Sequence, residues 1–477
     1  MSLDSIRGEY FWTGHALVDM GIASLMAFSH REKPNELTSG DLEKFAQYSE
    51  DAYFSPELAS YSTVLFTSNF INPSFTAEKK KEFVQKVLRI QKATPDPTLP
   101  NCAYCGRASV RRAHRDLVPM LTGREAINFF PGGAPGLALC GHCILALQAL
   151  SVGAPMCSGR ALIVSADDPE LILVLVKTWQ PEIRKRVQLS IQTGQKLAPL
   201  TRPLTRTVEA LSDIDLERGD VSSSSSISVL HLSNSGQGPQ VDIYHLPSVV
   251  VRFVQRAKAA RYSGVWKELV RRAWEVIPKR KGEKSAEGER EPARNYLYED
   301  LFELPGRSAE FVRTYFLGRA KQYAAGPGDP RHNYKGWKDY VPGLWDFTCL
   351  FLREVMEMDV GRVDAIRKLG DALADEIGVE NDRRLWANIY RATAYWQARK
   401  ALIQASQRRL RRGLAPVLSL DEFLGVFEEG EELPRVDWRF AWDLVLIRVI
   451  ERLYEAKWFE KNKDILGEEV EPQMEEA

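Results

Sequence analysis

Four cysteines constrain this chain more than any other feature. Cys102 and Cys105 stand in NCAYCG, and Cys140 and Cys143 in LCGHC, which gives the spacing C-x2-C-x34-C-x2-C. Four thiols at such spacings hold a metal ion more readily than they form disulfides in a large chain. Zn²⁺ suits them, because it accepts tetrahedral sulfur coordination and has no redox role. Four protein ligands close the coordination sphere and leave no position for water, so the expected zinc is structural. His142, inside CGHC, is an alternative ligand in place of one cysteine, while Cys157 and Cys349 stand apart as singletons.

At 477 residues the chain exceeds one ordinary hydrophobic core, so two or three domains are expected. Lys+Arg and Asp+Glu both number 64, so whole-chain charge names no partner and the information lies in segments. The first apolar stretch, GHALVDMGIASLMAF (14–28), contains Asp19, lacks a basic lead and is too short to span a bilayer. No later stretch reaches the necessary length. These features predict a cytoplasmic protein with no membrane partner.

The pattern predicts an α+β fold with an inserted four-cysteine zinc module and an all-α C-terminal helical bundle. Five parts follow from it: a mixed region 1–100, the zinc module 101–150, a strand-bearing region 151–247, helices with a polar loop 248–340, and the bundle 341–477. The run 61–75, YSTVLFTSNFINPSF, is β-branched and aromatic and reads as extended until Asn72-Pro73 breaks it. AEKKKEFVQKVLRIQ (77–91) has helical spacing. Strands are expected at 161–166, 226–233 and 241–247. The serines at 222–226 read either as a loop flanking strands or as a flexible insertion. The polar run 278–294 reads as a solvated loop.

The basic residues of the bundle concentrate in 383–412, which holds nine of them and no acidic residue. Read as one helix over 382–412, this segment places Leu385, Ile389, Ala392, Trp396, Ile403 and Leu410 on one face. Arg384, Arg391 and Arg409 then lie close together on a neighbouring face. Residues 421–477 are strongly acidic, with EEGEE at 428–432 and EEVEPQMEE at 468–476.

The cysteine module itself resembles zinc-stabilised HNH nucleases, with His114 and Asn128 as candidate catalytic residues. Such enzymes need a histidine base and polar groups that hold a second, catalytic ion. Here HRDLVP carries Leu117 where a histidine belongs, and Ile144 follows the final cysteine in place of a polar residue. General-base chemistry does not tolerate that gap. The module's arginines remain: Arg107, Arg111, Arg112, Arg115 and Arg124 stand between the cysteine pairs and suit phosphate, which guanidinium groups bond in a bidentate fashion. The plain alternative is an exposed, solvated charged face.

WTGHALVDMGIASLMAF, FTSNFINPSF and the two C-x-x-C pairs occur in that order. Together they resemble the large subunit of the type I-B (Myxan-type) CRISPR Cascade effector complex, over roughly residues 10–165. The resemblance implies a non-catalytic subunit of a crRNA-guided complex. Such a subunit recognises the protospacer-adjacent motif in target double-stranded DNA, aids strand separation and stabilises the displaced strand. Its partners would be the crRNA, the Cascade backbone and small subunits, and a helicase-nuclease or a transposition adaptor. An internal start at Met356 or Met358 would yield a separate small subunit. Under this reading Asn69, Phe70 and Asn72 are candidates for base contact and wedging, with turn chemistry as the alternative. Gln192, Gln195 and Lys196 form a second candidate loop, beside Thr193. Arg384, Arg391, Arg399, Arg408, Arg409 and Arg412 would track nucleic-acid backbone. An HNH-like nuclease and a free-standing zinc-containing DNA-binding protein are the competing readings.

Overall fold

The segment WTGHALVDMGIASLMAF builds helix α1 (Ala16–Ser29). Its entry is ordered by Asp19, which is buried yet satisfied: Oδ1 accepts the Thr13 N–H at 2.7 Å and hydroxyl at 2.8 Å, and Oδ2 accepts the Gly14 N–H at 2.8 Å. The computed structural model describes residues 10–66, 75–121, 136–214, 225–234, 239–277, 293–321, 326, 328–429 and 433–463. By its internal contacts the chain divides into two units, Met1–Gln255 and Arg256–Ala477.

In the first unit α1 is followed by α2 (Ser39–Ala52), whose N-terminus is capped by Thr38, and by α3 (Pro56–Leu65). The extended reading of 61–75 fails through residue 65. Ser55 Oγ accepts the Leu58 N–H at 3.3 Å, Pro56 suits the first helical turn, and Leu58, Tyr61 and Leu65 share a buried stripe. Cap and period outweigh the strand propensity of Thr63 and Val64. Asn69, Phe70 and Asn72 lie outside the described residues, as do Arg124, Asn128, most of the serine run and most of the 278–294 loop.

Helix α4 (Ala77–Leu88) precedes the short antiparallel pair β1 (Arg111–Ala113) and β2 (Leu137–Leu139), in register Arg112↔Ala138. Helix α5 (Gly141–Gly153) then runs buried along nearly its whole length. Tyr53 and Tyr61 donate their hydroxyls to the Gln148 and Leu150 carbonyls at 2.9 and 3.0 Å, keying α2 and α3 to α5. Helices α1 and α5 meet at backbone distance, because a Cβ at Gly21 would lie 2.0 Å from the Ala146 carbonyl oxygen.

The remaining elements of this unit are β3 (Met156–Cys157), β4 (Arg160–Ala166), α6 (Pro169–Thr193), α7 (Pro203–Asp213), β5 (Ile227–Ser233), β6 (Gln240–Leu246) and all but the last two residues of α8 (Ser248–Ala257). The four strands form an antiparallel sheet in the order β3-β4-β5-β6, and α1 and α6 pack on β4. The strand-like runs at 161–166, 226–233 and 241–247 correspond to β4, β5 and β6.

The second unit is helical apart from one ribbon among the described residues. Its helices are α9 (Ser263–Arg272), α10 (Tyr296–Asp300), α11 (Ser308–Phe311), α12 (Leu344–Glu354), α13 (Val360–Glu380), α14 (Arg383–Arg391), α15 (Tyr395–Arg411), α16 (Leu420–Phe427), α17 (Trp438–Glu455) and α18 (Trp458–Lys461). The ribbon pairs β7 (Glu428–Glu429) with β8 (Leu433–Pro434). Helix α17, buried along most of its length, packs against α13.

Residues 382–412 are two helices, not one. Gln397 Oε1 accepts the Thr393 and Ala394 N–H groups at 2.8 and 3.1 Å, capping a new helix, and Arg439 donates to the freed Ala392 carbonyl. The break resets the phase. Leu385, Ile389 and Ala392 stay in the core, whereas Trp396, Ile403 and Leu410 face solvent at 63%, 49% and 57% exposure. Ala398, Ala401, Leu402 and Ala405 are the buried face of α15 instead. Among the described residues no helix is long and apolar enough to cross a membrane.

Candidate metal centre

The four sulfurs of Cys102, Cys105, Cys140 and Cys143 converge, all lying within 4.8 Å of one another. Ideal tetrahedral zinc thiolate coordination separates its sulfurs by roughly 3.8 Å, the edge set by a metal–sulfur bond of about 2.3 Å. Cys105 Sγ and Cys140 Sγ stand 3.4 Å apart. Cys102, Cys140 and Cys143 are buried, and Cys105 is half-buried.

Local backbone geometry explains the convergence. The first pair sits in a tight knuckle in which the Cys102 carbonyl accepts the Gly106 N–H at 2.9 Å and the Cys102 N–H donates to the Arg107 carbonyl at 2.7 Å. The β1–β2 ladder continues the contact, with Ala103 N–H donating to Ala138 O at 3.0 Å and Val110 N–H to Leu139 O at 2.9 Å. The second pair begins a helix: Cys140 is the N-cap of α5, and its sulfur accepts the Cys143 N–H at 3.4 Å. A helix N-terminus favours thiolate at both positions.

Gly141 fixes where that helix starts. A Cβ there would stand 2.3 Å from the Ile90 carbonyl oxygen and 2.6 Å from Gln91 Cα. Tyr104, between the first two cysteines, stacks on His15 with centroids 4.2 Å apart. His142 turns away from the cluster, its ring edge-on to Tyr10 at 5.2 Å. Burial, with Arg107 nearby, lowers the His142 pKa to about 4. The sulfur cluster therefore consists of the four cysteines without His142.

The four thiols are electrostatically coupled. Cys102 is held well below the usual thiol range by hydrogen bonds from Cys105, Cys140 and Cys143, whereas the thiolate it forms pushes Cys140 and Cys143 up. A bound divalent cation would hold all four sulfurs as thiolates. Cys157 and Cys349 lie elsewhere, with burial raising their thiols to about 12 and about 11.

Among the described residues, the arginines beside the cluster stand in different settings. Arg107 lies over the Phe11 ring at 4.9 Å, Arg111 and Arg112 are adjacent on β1 and so point to opposite faces, and Arg115 is exposed. The His114 carbonyl closes the following turn by accepting the Leu117 and Val118 N–H groups, both at 2.9 Å. Leu117 and Ile144 are fully buried, so both positions serve the core. Gln192, Gln195 and Lys196 are exposed at the C-terminal end of α6, where Lys196 hydrogen-bonds Ser60.

In the second unit Arg384 and Arg391 on α14 and Arg399 on α15 are exposed. Arg408 pairs with Asp382, and Arg412 with Glu376 and Glu380, so acids from outside the basic run neutralise part of it. Arg409 donates to the Ala415 carbonyl at 2.8 Å. The break between helices also brings Arg383 and Arg411 into a cavity with Arg384, Arg408 and Arg412. The sequence held one signal for that cavity, Asn381-Asp382, a left-handed helix stop (φ 48°) joined to an N-cap.

Comparison with protein-family models, curated proteins and solved structures finds no match to this chain.

Proposed function

We propose that this chain is the large, non-catalytic subunit of a crRNA-guided surveillance complex of the type I-B Cascade kind, with Zn²⁺ as a structural ion. The observation that carries the reading is the closed four-cysteine cluster between β2, α5 and the knuckle at 102–106, in a unit whose sequence also contains the two other motifs of the resemblance. Four sulfur ligands would hold zinc without leaving a site for a reacting water. The buried Leu117 and Ile144 supply none of the polar groups that nuclease chemistry requires beside His114.

In this reading the first unit recognises the protospacer-adjacent motif and the second follows the displaced strand through the exposed arginines of α14 and α15. A helicase-nuclease or a transposition adaptor would then be recruited downstream. Met356 and Met358 lie between α12 and α13, so an internal start there would encode α13 onward as a small subunit.

The test is reconstitution of the full chain with a crRNA and backbone subunits. We expect stable co-purification, and duplex binding that depends on the trinucleotide flanking the target. Changing Arg384, Arg391 and Arg399 to alanine should weaken all targets alike and flatten the salt dependence by about one unit of slope per lost phosphate contact. Failure to assemble with RNA and backbone subunits would overturn the proposal. So would Mg²⁺-dependent nicking by the purified chain that disappears in His114→Ala.

A further inference from the structure

A cavity of about 560 Å³ lies where the end of α13, the start of α14 and the end of α15 come together. Arg383, Arg384, Arg408, Arg411 and Arg412 line it together with Glu376. Counting Glu380 and Asp382 on the same wall, five arginines face three carboxylates, an excess of two positive charges. Arg384 and Arg411 reach solvent. Glu376 is 1% exposed and already paired with Arg412, so what the cavity offers an occupant is the charge of its arginines. The fitting occupant therefore brings anions.

The chain itself leads such an occupant to the cavity. Asn462 is buried, its Oδ1 accepts from Arg383 Nε at 2.7 Å, and its Nδ2 donates to Asn381 Oδ1 at 2.9 Å. Both partners line the cavity, so the described chain ends, at Lys463, beside its rim. The residues that follow are DILGEEVEPQMEEA (464–477), with six carboxylates and no basic residue. A segment of this length spans up to roughly 46–50 Å when extended. Reach does not limit it, and tethering at the rim makes its local concentration high.

We propose that residues 464–477 fold back into this arginine-lined cavity, their carboxylates meeting Arg384 and Arg411. The inference stands on the cavity and on the exit of the chain, and does not require the nucleic-acid reading. Where that reading also holds, the segment competes with phosphates for Arg384, Arg408 and Arg412.

Hydrogen exchange of the full chain tests this without any added ligand. Peptides covering 381–384 and 411–414 are compared between the native chain and a variant with Glu468, Glu469, Glu471, Glu475 and Glu476 changed to Gln. Exchange about tenfold slower in the native chain is expected, the sum of a few exposed ion pairs. Arg384→Gln with Arg411→Gln should remove the same protection while leaving the melting temperature unchanged, and raised salt should weaken it. Equal exchange in the native chain and the glutamine variant overturns the proposal. Protection that rises with protein concentration overturns it in favour of a second copy's segment. Protection that appears only on adding an oligo-dT strand, and equally in both chains, overturns it in favour of nucleic acid alone.

Discussion

Gly141 shows how far a single position matters beyond what spacing reveals. The cysteine spacing marks four thiols that could hold a metal ion, and their convergence was legible. Gly141, between Cys140 and Cys143, carries no such signal in the spacing, yet it is where α5 starts hard against the Ile90–Gln91 backbone. Gly141→Ala should push the N-terminus of α5 away by overpacking, costing about 1–3 kcal/mol. For a unit of this size that is a fall of about 2–12 °C in melting temperature. Metal content of the purified variant should fall with it, since Cys140 and Cys143 move together; a variant with native melting and full metal content would sink this account. Asp19 was equally hidden. Its carboxylate stands in a stretch of apolar residues, and only the positions of Thr13 and Gly14 reveal that it completes the entry to α1.

Elements were legible where local pattern and tertiary packing agree. The strands β4 and β5 alternate or run apolar as a half-covered sheet requires, and β6, mostly exposed, still carries β-branched residues at its start. The break at 392–394 was not legible, because the Gln397 cap and the Arg439 contact that stabilise it depend on residues distant in period or sequence. It inverts the expected energetics of the basic run. Leu385→Ala and Ile389→Ala should each cost about 2–5 kcal/mol, as deletions from a filled core do. Trp396→Ser, Ile403→Ser and Leu410→Ser should each stay within about 0.5 kcal/mol, the range of ordinary surface changes. Urea unfolding of the five variants checks this directly. Comparable losses across all five would restore the single helix and remove the solvent-facing apolar stripe.

At the scale of the whole chain, the boundary between the units falls inside α8, in a run that has no glycine or proline to mark it. Composition cannot show such a boundary, since it is defined by which residues touch. The division separates two responses to solution conditions. Acid acts on both units. Glu43 is held near pKa 2 chiefly by hydrogen bonds from Arg89 and Lys92, and Glu268 near 2 chiefly by Arg271. A depressed carboxylate contributes stability that is present above about pH 4.5 and lost as pH falls toward 2. Discounted for solvent screening, each site accounts for about 1 kcal/mol. Acid titration therefore weakens both units and does not distinguish them. Metal removal does, because every sulfur of the cluster belongs to the first unit. A strong chelator at pH 7 should speed amide exchange in α5 and in the β1–β2 ladder, which the cluster holds together, and leave α13 and α17 unchanged. Cys102→Ser should reproduce that pattern without chelator. Uniform change across both units, or none in α5, would show that the cluster does not organise the first unit through a metal.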